Sequence, residues 1–561
     1  ARDVTSALLA ASRGKAEGYS IKDPAKLLKL AEEYGISSQG QDVNQVAEKV
    51  ALTLLAEFGR QEGHLKFTER APEKLQAKRD ETGTRPRGVD REVVTALHST
   101  HMGGDNDAAH LIQTCVRVGL TDGWGGSMAA TELSDVLFGG PQPIRSAANL
   151  GVLKADHVNV VVHGHEPTLS DAVVAASQLP EIKKEIEKVG AKGIQLAGIC
   201  CTANEILMRR GVPLAGNFLH QEIAILTGVV DALVVDIQCV MPGLAQVAKR
   251  YHTKIVSTSP KAKFENVEHL EFHEETALTS AKELLKLAIE NYTHRDPSKV
   301  HIPKHKEDLV AGFTVENTFK FLGGRYRPSF RPLNNAIIDG RIRGVAAVIG
   351  CNSVRYRQDE AHLAMVKELL RHDVLVVQTG CSAIACGKAG MLVPEAAELY
   401  AGAGLKEVCD AVGIPPVLHL GSCVDNSRVL MACVEMCREG GLGEDLSDLP
   451  VAGAAPEWMS EKAIAIGFYV VGSGIYTVIA DPLPVLGSPA VTRILTEDLE
   501  REFGGKFAFE RDPVKGAKLM ISHIDAKRAA LGLPEMIYEP REAATAGRPL
   551  PSESLAVVGG E

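Results

Sequence analysis

Short apolar runs that each end in a soft metal donor, three in one stretch of chain and three in the next, constrain this sequence more than any other feature. Val158-Asn159-Val160-Val161-Val162 leads to His163 and His165, Gly193-Ile194-Gln195-Leu196-Ala197 to Cys200-Cys201, and Ala232-Leu233-Val234-Val235-Asp236 to Cys239. Further on, Val345-Ala346-Ala347-Val348-Ile349 leads to Cys351, Val374-Leu375-Val376-Val377 to Cys381, and Pro416-Val417-Leu418 to Cys423. In open α/β sheets the C-terminal ends of the strands form the crevice where ligands bind. Two such sheets facing one crevice would aim one His and five Cys at a common point. That many thiolates suit an iron–sulfur cluster better than a lone zinc ion, which takes four ligands.

The rest of the chain permits this reading. It has 561 residues, enough for three or four domains, and 45% hydrophobic and 24% charged residues, as in ordinary globular proteins. A net charge of −10 with no long basic run excludes nucleic acid as a partner. Eleven Cys are too few for a disulfide scaffold and point to a reducing, cytoplasmic location. The first residues, Ala1-Arg2-Asp3, carry no secretory apolar segment. The uncharged stretch Ala463 to Ala480 is interrupted by Gly472-Ser473-Gly474. It reads as a buried helix, a turn and a buried strand, and no membrane span is expected.

Residues 1–142 read as a helical domain. Asp23-Pro24 opens a helix, and Val43 to Phe58, Arg91 to Met102 and Ala108 to Val118 carry apolar residues at helical spacing. From 143 to 318, β-branched runs alternate with helical stretches such as Ser170–Ser177, Pro180–Val189 and Ala203–Arg210, predicting a Rossmann-like α/β domain with a parallel sheet. A second such domain is expected over 319–533, with helices at Asp359–Arg371, Pro394–Tyr400 and Asn426–Arg438. The Pro-containing tail 534–561 reads as extended or disordered.

Glycine stands just before the thiol in Gly350-Cys351, Gly380-Cys381 and Gly421-Ser422-Cys423, where a sharp turn and a close approach to a cluster are needed. Cys115, Cys386, Cys409, Cys433 and Cys437 fall in predicted helices and read as core or helix-face thiols. His163 and His165 flank one Gly, so only one need reach a metal. Lys462, at the start of a helix, reads as a solvated side chain or as a cation stabilising a bound oxyanion. Asp122, in Asp122-Gly123-Trp124-Gly125-Gly126, reads as a turn residue or as the holder of that Lys.

Taken together, His163-Gly164-His165-Glu166-Pro167, Gly198-Ile199-Cys200-Cys201-Thr202, Asp236-Ile237-Gln238-Cys239, Gln378-Thr379-Gly380-Cys381, Gly421-Ser422-Cys423-Val424-Asp425-Asn426 and Pro456-Glu457-Trp458-Met459-Ser460-Glu461-Lys462 resemble the nickel-dependent anaerobic carbon monoxide dehydrogenases, from about Gly18 to Leu531. The resemblance implies a metal cluster between the two α/β domains. The cluster would be of the Ni-4Fe-4S type, with His165, Cys201, Cys239, Cys351, Cys381 and Cys423 as ligands. It implies that Lys462 hydrogen-bonds the CO2-derived oxygen, that Ile466 lines the pocket, and that Asp122 partners Lys462. The implied reaction converts CO and water to CO2, two protons and two electrons. The electrons would pass to a ferredoxin-like acceptor, the enzyme would be a homodimer, and maturation proteins would insert the nickel.

Family members carry further 4Fe-4S clusters in a Cys-rich N-terminal segment and a His-rich helix serving as a proton path. Residues 1 to 100 contain no Cys, and His98 and His101 lie downstream of that relay. The expectation is therefore a chain that begins after this segment, by truncation or as a natural variant. Two rival readings are a hybrid-cluster protein (a hydroxylamine reductase) and a non-catalytic metal-cluster scaffold derived from the enzyme.

Overall fold

The computed structural model describes residues 1–318, 329–480 and 484–542. Its first part is helical throughout, from Arg2–Ser12 to Ser127–Phe138. Asp23 caps the helix Pro24–Glu33, and Asp42 and Gln45 close a capping box at Val43–Phe58, so orphan backbone N–H groups at both starts are satisfied. Leu27, Leu30, Val46, Val50 and Leu54 form the buried stripe that the periodicity predicts. The helix Ala108–Thr121 does not stop at a turn. It runs on through a widened π turn, Asp122–Gly126, into Ser127–Phe138.

An eight-stranded sheet follows, with β1 (Ile144–Ala148), β2 (Val158–Gly164), β3 (Ile194–Ile199), β4 (Leu214–Gly216), β5 (Val230–Val235), β6 (Lys254–Ser257), β7 (Glu268–His269) and β8 (Glu307–Ala311) in the order β7-β6-β5-β2-β3-β4-β1-β8. β2 and β5 are buried along their whole length, which is why they read as continuous apolar runs. The expected parallel arrangement holds except at β8, which pairs antiparallel to β1. That strand returns toward the second α/β part, and Val310 N–H bonds to Leu392 C=O.

The second sheet is parallel throughout. It has β9 (Gly344–Val348), β10 (Val374–Thr379), β11 (Val417–Gly421), β12 (Val451–Ala455), β13 (Thr477–Ile479) and β14 (Phe507–Phe509) in the order β11-β10-β9-β12-β13-β14. The stretch Ala463 to Ala480 is a helix, a turn and a strand, with Glu461–Val471 preceding β13. No helix among the described residues is long and apolar enough to cross a membrane. The expected boundary at 319 falls outside the described residues, as does the tail from 543 onward. Residues 534–542 are docked rather than loose: Ile537 N–H bonds to Gly340 C=O and Arg541 N–H to Arg371 C=O.

The three parts meet at one buried carboxylate. Asp135, in the helix Ser127–Phe138, accepts from Arg209 at 2.6 Å and from Arg428 at 2.9 Å, and these come from the first and second α/β parts respectively. Lys26 of the helical part adds a third cation at 2.7 Å. These cations hold the Asp135 carboxyl well below the ordinary range despite the opposing effect of burial.

Candidate metal centre

Strand order fixes where ligands can gather. In the first sheet the chain runs from β2 through β3 and β4 to one side and from β5 through β6 and β7 to the other, so its crevice opens between β2 and β5. His165 follows β2, Cys200-Cys201 follow β3, and Cys239 follows β5. In the second sheet the same reversal lies between β9 and β12. Cys351 follows β9, Cys381 β10, Cys423 β11, and the segment to Lys462 follows β12. The two crevices share one enclosed cavity of about 80 Å³, lined by His165, Cys201, Cys239, Cys351, Cys381 and Cys423. Cys200, Lys462 and Ile466 line it too.

Local backbone geometry explains the glycines and some of the acids. Gly164 ends β2 at φ 137° and Gly421 ends β11 at φ 138°, a region closed to L side chains. A Cβ on Gly164 would strike the Asp236 carboxylate, and one on Gly421 the Asp425 carboxylate. Those acids are turn anchors. Asp236 accepts from His165 N–H at 2.6 Å and from Ile237 N–H, while Asp425 accepts from Ser422 N–H at 2.9 Å. A third buried acid, Glu457, accepts from Ser353 N–H at 3.2 Å, and its own carbonyl accepts from Cys351 N–H at 3.0 Å. Cys200, Gln238 and Cys239 adopt positive φ without being glycine, at 63°, 63° and 56°. Left-handed backbone at such residues costs about 1–2 kcal/mol each and collects at functional sites.

The donors sit close together. Cys200 Sγ lies 3.8 Å from Cys381 Sγ, and Cys239 Sγ 3.8 Å from His165 Nε2. Cys423 N–H points at Cys201 Sγ, 3.4 Å away. His165 Nδ1 faces Ile237 C=O at 3.2 Å, which directs Nε2 toward the cavity. Four helices, Cys200–Arg210, Gly380–Lys388, Asn426–Glu439 and Glu461–Val471, begin at these turns. Their N-termini add positive potential where thiolates collect.

Protonation around the ring is uneven. Cys239 is drawn down to about 3, chiefly because the Cys200 thiol donates to it and then because His165 does, against burial. Cys423 falls to about 6 through the Cys201 thiol. The thiol of Cys351 is pushed far up by burial and by its thiolate neighbours, as is that of Cys200. Burial disfavours a charge on Lys462, but Cys423, Cys201, Cys239 and Cys351 outweigh it and raise its pKa. Its ammonium donates to Gln238 Oε1 at 3.4 Å.

Not every predicted residue reaches the cavity. His163 is buried beneath it, with Nε2 placed 3.0 Å from Cys239 C=O and 3.2 Å from Gln221 Oε1, so it braces the Cys239 turn. Asp122 does not line the cavity. It accepts from Ser127 Oγ at 2.8 Å, and burial raises its pKa against the opposing pull of that hydrogen bond and of Lys462. His98 and His101 are exposed and line no part of the cavity. The five other cysteines occupy helices; Cys433 touches the cavity's far apolar wall. Sequence reasoning missed Asn426, which lines the cavity one turn after Cys423, and the anchors Asp236, Asp425 and Glu457. Their sequence signal was position alone: an acid or amide within four residues of a ligand turn, or within two residues of the end of an apolar strand.

The donor set fits a cluster better than a single ion. No three donors among the described residues converge on one metal position. Instead they ring a cavity, with buried thiolates whose mutual repulsion a cationic guest would relieve. No carboxylate is among the lining residues.

A thiolate-and-imidazole ring between two Rossmann-like sheets defines a protein of the metal–sulfur type. The chain belongs to the Prismane/CO dehydrogenase family, whose model matches residues 1–514. It is 54% identical over 533 residues to "Carbon monoxide dehydrogenase 1" of Methanosarcina acetivorans, a match covering 95% of this chain and 84% of that protein. Among solved structures, a nickel-free carbon monoxide dehydrogenase from Thermococcus sp. AM4 superposes with a TM-score of 0.92 at 47% identity, covering 95% of this chain and 83% of that one. Carbon monoxide dehydrogenase IV of Carboxydothermus hydrogenoformans gives a TM-score of 0.91 at 45% identity, with coverages of 95% and 85%.

Proposed function

We propose that this chain oxidises carbon monoxide with water to CO2, two protons and two electrons at a nickel–iron–sulfur cluster. His165, Cys201, Cys239, Cys351, Cys381 and Cys423 hold that cluster. The observation that carries this is the gathering of all six, with Lys462 and Ile466, around one cavity. When bound, the cluster supplies a carbon-binding metal, a Lewis acid that lowers the pKa of water, and a sink for two electrons. The chain's own residues do the rest. Lys462, kept protonated by the surrounding thiolates, donates to the substrate oxygen that gains negative charge. Ile466, one turn on from Lys462, keeps the wall apolar and excludes water. Asp122 balances the Lys462 charge from behind without touching substrate.

A ferredoxin-like acceptor, a second copy of the chain, nickel-inserting proteins and a cytoplasmic location complete the reading. The lack of any lining carboxylate favours it over the hybrid-cluster alternative, for which carboxylate ligands are expected. The test is anoxic expression with nickel, metal analysis, and CO-dependent reduction of a viologen dye. About one nickel and roughly four irons per chain are expected for a cubane-derived cluster. Iron without nickel, or hydroxylamine reduction without CO oxidation, would sink the proposal.

A further inference from the structure

One buried polar side chain at the cavity has an edge without a partner. Asn426 opens the helix Asn426–Glu439, is 1% exposed and lines the cavity. Its Oδ1 accepts from Thr379 Oγ1 at 2.5 Å, while its Nδ2 has no hydrogen-bond partner. The Tyr469 hydroxyl interacts with it electrostatically but outside hydrogen-bonding geometry, and it too has no partner. A buried amide N–H2 left unpaired costs about 1–3 kcal/mol, so an absent acceptor is the natural explanation. The opposite orientation of the amide would turn an oxygen toward a ring of thiolates, which electrostatics disfavours.

Resting on the proposed cluster, we infer that Asn426 donates its Nδ2–H to sulfur of the bound group and thereby sets its reduction potential. An N–H···S bond stabilises the more negative, reduced state, so it raises the midpoint. Thr379 is the positioning residue: its hydroxyl donates to the amide oxygen and so fixes the orientation of the Nδ2 edge.

The test is a redox titration of the full chain loaded with iron, sulfide and nickel, followed by electron paramagnetic resonance and accompanied by metal analysis. Asn426→Leu keeps the branched shape and removes the donor. The expected result is a midpoint shifted to more negative potential with iron content unchanged. Thr379→Val, which only frees the amide to rotate, shifts the midpoint the same way by less. Tyr469→Phe leaves it in place. An unchanged midpoint in Asn426→Leu overturns the inference while leaving the cluster reading intact. If Asn426→Leu fails to fold, an unchanged midpoint in Thr379→Val overturns it instead. A parent chain that takes up no cluster overturns both.

Discussion

Replacing Asp135 by Asn tests whether the three parts of the molecule are held by charge at their junction. The carboxylate is 1% exposed and takes Arg209 at 2.6 Å, Lys26 at 2.7 Å and Arg428 at 2.9 Å. Each charge-assisted hydrogen bond is worth about 1.5–3 kcal/mol in isolation. The sum overstates the loss, because Glu205 still pairs with Arg209, Glu132 with Lys26 and Asp425 with Arg428. What remains is a buried cation set short of one counter-charge, for which about 3–5 kcal/mol is the expected destabilisation. At about 0.8 °C per kcal/mol for 561 residues melting as one body, melting should drop by about 2–4 °C. The depressed pKa fixes the sign with pH. The contribution is complete above the unfolded carboxylate value and is lost as pH falls through the folded one, so Asp135→Asn reproduces at neutral pH what strong acid does to the parent. Scanning calorimetry of the anoxic chain measures the shift. Because Arg428 also grips Asp425, which anchors the Cys423 turn, iron retention should fall as well. A melting temperature within about 1 °C of the parent, about 1 kcal/mol on the same scale, would refute the reasoning.

Three further outcomes follow from the site. Lys462→Met should lower kcat by about 10²–10³-fold, the loss seen when one oxyanion donor is removed, with nickel and iron content unchanged; a parallel loss of metal would show a structural role instead. Cys201→Ser should reduce iron per chain and Cys409→Ala should not, since only the former faces the cavity; equal iron in the two variants contradicts the ligand assignment. Glu205, pushed up to about 7 by burial and by Asp425, favours its neutral form in the fold, so stability should decline as pH rises from the ordinary carboxylate range through about 7. Glu205→Gln should flatten that decline in melts at pH 5 and 8, and an unaltered slope would assign the decline to other groups.

Much of this fold was legible because buried parallel strands write themselves as continuous β-branched runs. Val158–Val162 and Val230–Val235 could hardly be anything else, and the donor at each end followed from chain order. The widened turn at Asp122 was not legible. Gly123 and Gly125 suggest a loop, but they are small because Tyr469 and Leu65 lie where their Cβ atoms would be. The antiparallel pairing of β8 was equally hidden, since five residues of strand carry no mark of direction. The distinction between His163 and His165 was open in sequence. The structure gives them different positions: His163 is still within β2 and braces the Cys239 carbonyl, while His165 lies past the Gly164 turn and beside Cys239.

The left-handed pair Gln238 and Cys239 shows what the site spends stability on. Neither residue favours positive φ, yet the turn is held there by Asp236 on one side and by His163 and Gln221 beneath Cys239 C=O. A glycine at 238 would adopt φ 63° without strain. Against this, glycine loosens the unfolded chain, which costs about 0.4–1 kcal/mol. The strain relieved, about 1–2 kcal/mol, exceeds that cost, so Gln238→Gly should melt at or slightly above the parent when no metal is bound. Loaded with metal, the variant should lose that advantage, because the freed turn no longer presents Cys239 at a fixed position and Lys462 has lost its acceptor. The stabilisation on loading, measured as the difference between loaded and unloaded melts, should therefore shrink. If the unloaded variant instead melts well below the parent, the positive φ is a comfortable conformation of this turn and no strain is stored in it.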